Sequence, residues 1–254
     1  MIGRIASKVI LNQNVRSCTE WHGEEKGRTV FYNSKGLPAY FNFQADVLDT
    51  NQKIVTGDFG KREFVYDEDG NLIQNTMSTY EPTLDSSIVI SMIRNYYNDN
   101  LLAKKEHFDN LESKPTVTKY FYIDTLLIKE NRTKPDSSLI VATGEKFKEE
   151  SVVYRYDNSQ KLTTVLNFRG THLLDSISVT YNDDVVTWTT FDNENKERSV
   201  VKMIYDRYDR EKERIYPDQQ VVKWYYTENG LLDLIEYTYL KTGEIRRTKF
   251  TYEK

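Results

Sequence analysis

Tyr66-Asp67-Glu68-Asp69-Gly70-Asn71-Leu72-Ile73 decides the fold class of this chain. The Asp67 side chain is placed to accept hydrogen bonds from the backbone just ahead of it and so close a type I turn. Gly70 then supplies the left-handed conformation that a Cβ resists. A type I turn followed by a left-handed residue is the three-residue hairpin loop with a G1 bulge. With Glu68, Asp69 and Gly70 as that loop, Asp67 faces Asn71 and Tyr66 faces Leu72. An opposed aromatic–aliphatic pair stabilises a sheet by roughly 0.2–1 kcal/mol. The eight residues therefore specify one hairpin in one register.

The same spacing recurs along the chain. Tyr226 precedes Leu232 by six residues with Gly230 at the turn, and Tyr239 precedes Ile245 by six with Gly243. Tyr156 precedes Leu162 by six, with Gln160 in the place of the glycine. The Tyr32 copy is one residue short, since Leu37 follows by only five. Looser copies begin at Tyr97, Tyr122 and Tyr181. Phe64, Tyr120, Tyr154, Tyr237 and Phe250 each stand two residues before a repeat tyrosine, on the same sheet face, and so form aromatic stripes. Repeat tyrosines are separated by 21 to 34 residues. That length holds one strand–turn–strand unit, and such units must stack on neighbours to bury an apolar face.

The expected fold is all-β: an elongated, curved antiparallel sheet of stacked β-hairpin repeats, with roughly 14–18 strands. Residues 1–254 read as a single repeat domain, with 1–30 as a candidate N-terminal cap. Locally, a strand is expected over 6–11, a polar segment over 12–26 and a long loop over 46–61. Ser87–Tyr97 reads as a strand from its β-branched content and the turn that follows.

Composition agrees with strands that keep one face wet. The chain has 19 Tyr and 11 Phe against 5 Pro, which favours sheet. Charged residues make up 29% and mean hydropathy is -0.68, whereas a sheet covered on both faces reads as continuous apolar runs. Lys and Arg number 35 against 39 Asp and Glu, a net charge of -4. That balance, with the two signs interspersed, argues against the basic stripe a nucleic-acid partner requires. Cys18 is the single cysteine, so no intramolecular disulfide framework exists. No apolar run reaches the length of a transmembrane helix, and the first residues lack a continuous apolar signal core. The expected location is the cytoplasm, or the cell surface if a leader has been removed.

Candidate chemistry is sparse. Asp67, Asp69 and Asn71 alternate like calcium-loop ligands, but a calcium loop needs a later glycine and a glutamate at its twelfth position. Cys18 and His22 stand four apart without an oxyanion-hole motif. Three histidines, His22, His107 and His172, show no metal-ligand spacing. Neither a phosphate loop nor a nucleophile elbow is present. No catalytic residue, cofactor or metal is expected. Trp188, Trp224 and Tyr226 are the candidate binding residues, because Tyr and Trp are favoured contact residues. Most other tyrosines recur at the structural register and read as the sheet's apolar face.

Tyr66-Asp67 with Gly70-Asn71-Leu72 resembles the Tyr-Asp-x-x-Gly-Asn-Leu signature of the YD repeat found in RHS-like proteins. Tyr154-Arg155-Tyr156-Asp157 matches its first half, and Tyr205-Asp206 and Tyr208-Asp209 are fragments of it. Tyr225 to Leu232 and Tyr239 to Ile245 are similar to the MORN-like repeats of antitoxin-type proteins. Both resemblances imply antiparallel hairpin sheets. They further imply a non-catalytic protein-binding module, an immunity protein that neutralises a bacterial toxin being the leading expectation. A carbohydrate-binding or structural protein of the cell surface is the alternative.

Overall fold

The computed structural model describes Ile10 and residues 13–22, 24–48, 54–81, 85–109, 114–134 and 149–253. Among them are eighteen strands, divided between two compact units: residues 1–92 with 205–254, and residues 93–204. The fifteen strand pairings whose register is described are all antiparallel.

The first unit contains β1 (Ser17–His22), β2 (Glu25–Tyr32), β3 (Pro38–Leu48), β4 (Ile54–Tyr66), β5 (Leu72–Glu81) and the start of β6 (Ser86–Asn98). It also contains β15 (Glu211–Ile215), β16 (Gln220–Tyr226), β17 (Leu232–Tyr239) and β18 (Glu244–Glu253). The second holds the rest of β6, then β7 (Leu101–Asp109), β8 (Thr116–Ile123), β9 (Leu126–Thr133) and β10 (Glu150–Tyr156). It continues through β11 (Leu162–Arg169), β12 (His172–Asn182), β13 (Val185–Asp192) and β14 (Glu197–Tyr205).

The turn read from the sequence is the one observed. Tyr66 faces Leu72. Gly70 N–H donates to Asp67 O at 3.2 Å, and Asp67 N–H donates to Asn71 O at 3.0 Å. Asp67 Oδ1 accepts from Asn71 N–H at 2.7 Å. Hydrogen bonds from the Asn71 side chain, then from the backbone of Asn71, Asp69 and Gly70, hold the Asp67 carboxyl below the usual carboxylate range. The same backbone pair closes turns at Asn33, Asp157, Asp192, Asp206, Tyr216 and Thr227. Their fourth residues all have positive φ: Gly36, Gln160, Asn195, Asp209, Gln219 and Gly230. Asn33, Asp157, Asp192, Asp206 and Thr227 each add a side-chain acceptor that helps hold the turn closed, while at the Tyr216 turn Asp218 Oδ1 accepts from Gln220 N–H instead.

Two copies depart from expectation. Tyr32 faces Pro38 and not Leu37, since Leu37 occupies the turn and donates its N–H to Asn33 Oδ1. Tyr239 faces Glu244, and Ile245 faces Thr238. Here the turn closes one residue earlier, with Thr242 and Gly243 N–H both donating to Tyr239 O.

The repeat tyrosines also link neighbouring strands. The hydroxyls of Tyr122, Tyr156, Tyr226 and Tyr252 donate to the carbonyls of Leu102, Leu127, Glu211 and Leu232 at 3.1, 2.8, 3.0 and 2.6 Å. Each acceptor lies in the first two residues of the preceding strand. One side chain thus packs its ring in the sheet and fastens its phenol to the strand before it.

Three other expectations are corrected. The polar segment at 12–26 contains β1, and the loop at 46–61 is mostly β3 and β4. Gly60 belongs in that strand because Phe43 faces it, and a Cβ there would run into the Phe43 ring. The strand expected at 6–11 falls outside the described residues apart from Ile10. Most consequential is the first strand. An elongated open sheet would leave its terminal strands with free edges, but β1 pairs with β2 on one side and with β18 on the other. Cys18 faces both Val30 and Tyr252 there, and Thr19 faces both Thr29 and Thr251. Ser87–Tyr97 lies within the strand β6, as its composition indicates.

Candidate binding sites

A row of directly opposed residues crosses one face of the second unit. Lys105 faces Thr118, Thr118 faces Arg132, and Arg132 faces Glu150. Neighbouring strands lie roughly 4.8 Å apart, so the long side chains of Lys105 and Arg132 flank the short Thr118 between them. Ile93, His107, Thr116, Glu130 and Val152 complete the lining of a cleft of about 260 Å³. Thr116 and Thr118 form its buried floor, whereas Arg132 is exposed. Glu130 accepts from the Tyr154 hydroxyl at 2.7 Å, and Glu150 from Arg169 at 3.3 Å. The side chains of Lys105 and Arg132 make no hydrogen bond or ion pair among the described residues.

Two phenols beside the cleft stay protonated. Burial, then the charge of Glu130, pushes Tyr120 up to about 12. Burial and the bond to Glu130 raise Tyr154 further. Tyr154 is therefore a fixed donor to Glu130. The cleft offers two cations, two carboxylates, two threonine hydroxyls and an apolar pair, Ile93 and Val152.

The residues singled out from the sequence sit elsewhere. Trp188 lies on β13 in the second unit, facing Val179 and Val201. Trp224 and Tyr226 lie on β16 in the first unit, facing Ile235 and Leu232. The Arg214 guanidinium stands 5.5 Å from the Trp224 ring and that of Arg210 stands 4.3 Å from the Tyr226 ring. All three residues are half-buried, and Tyr226 is further held by its bond to Glu211. The cleft residues were not legible because none belongs to a local motif. They meet only through the register of four strands, β7 to β10.

Cys18 is a core residue. It is 6% exposed. Burial, opposed by a hydrogen bond with Tyr252, leaves its thiol raised to about 11, which disfavours the nucleophilic thiolate. His22 is bonded through Nδ1 to Thr248 Oγ1 at 3.1 Å. Among the described residues, no group of three His, Cys, Asp or Glu side chains could hold a metal ion.

Charge occupies both faces of the first unit. The face carrying Cys18 also carries the Arg28–Glu20 pair at 2.8 Å, Arg62 on Asn75 at 2.8 Å, and Arg214. The opposite face carries Arg247–Glu236 at 2.9 Å, Lys61–Glu63 at 2.7 Å and Lys223–Glu213 at 3.9 Å. Among the described residues no helix is long and apolar enough to cross a membrane, which says nothing of a β-barrel.

No family model and no curated protein matches this chain. Among solved structures, a porin-like protein from Bacteroides uniformis is similar, with 10% identity and a TM-score of 0.51 over 94% of this chain and 96% of that one. A porin-like protein from Bacteroides vulgatus has 11% identity and a TM-score of 0.33 over 94% and 98%. A TcdB2–TccC3–Cdc42 structure has 8% identity and a TM-score of 0.28 over 86% of this chain and 14% of that one. The first likeness is one of fold, and establishes an antiparallel all-β architecture shared along nearly the whole chain.

Proposed function

We propose that this protein is a non-catalytic binding protein that works with water on its sheet faces. The presence of charged side chains on both faces of the first unit carries this reading. Whichever face looks outward, hydrocarbon would meet ionic groups, at roughly 2–4 kcal/mol for each Lys or Arg at the bilayer midplane. The pairing of β1 with both β2 and β18 leaves that strand without a free edge. A partner at this strand docks on side chains and not by adding a strand. The hairpin repeats favour a protein partner, a toxin held by its immunity protein being the leading instance, over a cell-surface carbohydrate.

The fold likeness to a porin-like protein favours a second reading, a membrane pore. Vesicle flotation separates the two. The purified protein should remain in the soluble fraction with phosphatidylethanolamine–phosphatidylglycerol vesicles and should co-elute with the product of a neighbouring toxin gene. Stable insertion into the vesicles would refute the reading.

A further inference from the structure

From the cleft of the second unit we infer a binding site for a small zwitterion, an α-amino acid with a short side chain. This inference is independent of the partner argued above, since it rests on different residues. The lining contains two cations, Lys105 and Arg132, and two carboxylates, Glu130 and Glu150, so it presents both signs. A lining of both signs suits a ligand that carries both signs, and disfavours a simple anion or cation by leaving one pair unanswered.

The arrangement separates the signs. Lys105 and Arg132 both face Thr118. Two cationic side chains therefore flank one buried threonine, and Arg132 can offer its planar fork to a carboxylate. Glu130 lies two residues from Arg132 on the same face of β9, and Glu150 faces Arg132 across β10. An ammonium group between the two carboxylates completes the pairing. Glu130 is oriented for this by Tyr154, and Glu150 by Arg169. Ile93 and Val152 supply an apolar wall for a short side chain. The volume, about 260 Å³, is below the 300–1,000 Å³ of drug-sized sites, as a ligand of this size requires.

Isothermal titration of the full chain with alanine, acetate and ethylamine tests the site. Alanine should bind with Kd of about 1 mM or tighter, while acetate and ethylamine each bind at least about tenfold more weakly. Arg132→Gln and Lys105→Met should each weaken alanine about tenfold or more. Lys202→Met, on β14 away from the lining, should leave it unchanged. Circular dichroism melts confirm that the variants are folded. Equal affinity for acetate would make this an anion site and overturn the proposal. So would absence of alanine binding, or unaltered binding in both cleft variants.

Discussion

The Asp67 hairpin and the β1 seam hold the same kind of sheet together by opposite means. At the hairpin, partners lie within six residues, and one side chain, Asp67, closes the loop that sets the register. At the seam, Ser17 bonds Glu253 across 236 positions of sequence at 3.0 Å. Cys18, Tyr32 and Tyr252 meet there in a buried group. The hairpin can form early because its loop is short. The seam must close the chain's two ends and costs more loop entropy before its contacts form. A local motif can therefore be repeated cheaply along the sequence, while the seam depends on burial and on pairing along both edges of one strand.

Proline gives the largest contrast. Thr19→Pro, in a strand paired on both sides, removes a ladder donor and should cost about 3 kcal/mol or more. Urea denaturation would show this as a large drop in midpoint. An unchanged midpoint would mean that β1 is not a central strand.

The seam should also respond to alkali. Cys18 goes from an ordinary 9.0 to about 11 in the fold, and burial raises Tyr32 and Tyr252 as well. The unfolded chain then loses these protons first. Stability is full below pH 9 and falls as pH climbs from 9 towards 11, by an amount of order 2 kcal/mol for the thiol. Cys18→Ala should flatten the slope just above pH 9 in a pH series of denaturation curves. A slope equal to that of the parent would place the titration elsewhere.

Smaller effects belong to the hairpin. Gly70 has φ +82°, and its nearest obstruction to a Cβ is Leu37 Cδ1 at 3.7 Å. Gly70→Val is thus penalised by conformation and not by crowding, at about 1–2 kcal/mol. A thermal melt would register it without any change in the cleft's ligand binding. Smallest is Glu68→Pro, at the turn position where proline's φ fits. It should be neutral or stabilising by up to about 1 kcal/mol. A loss comparable to that of Thr19→Pro would erase the distinction between hairpin and seam.

Legibility followed the range of the interactions. The Tyr66–Leu72, Tyr156–Leu162 and Tyr226–Leu232 pairs could be read from spacing because turn chemistry fixes their register. Gln160 was recognisable as a stand-in for glycine for the same reason, and its φ is 61°. The Tyr239 copy differs because its turn closes on Tyr239 O, one residue earlier than in the other copies, through Thr242 and Gly243 N–H. Gly57 and Gly60 suggested a loop because glycine marks loops and close approaches alike. Only the Phe43 ring, brought opposite by strand pairing, decides between them at Gly60.

By itself, the sequence determined that this is an antiparallel all-β protein, where most of its hairpins turn, and that no local catalytic motif is present. These follow from short-range backbone sterics, Asx hydrogen bonding and side-chain alternation, all of which act within a few residues. Tertiary structure decided that the first strand joins the last, that Cys18 is sealed in a core, and that Lys105, Thr118, Arg132 and Glu150 stand in one row. Those depend on which strands become neighbours, and the free energy of that choice comes from burial and pairing between residues far apart in the chain.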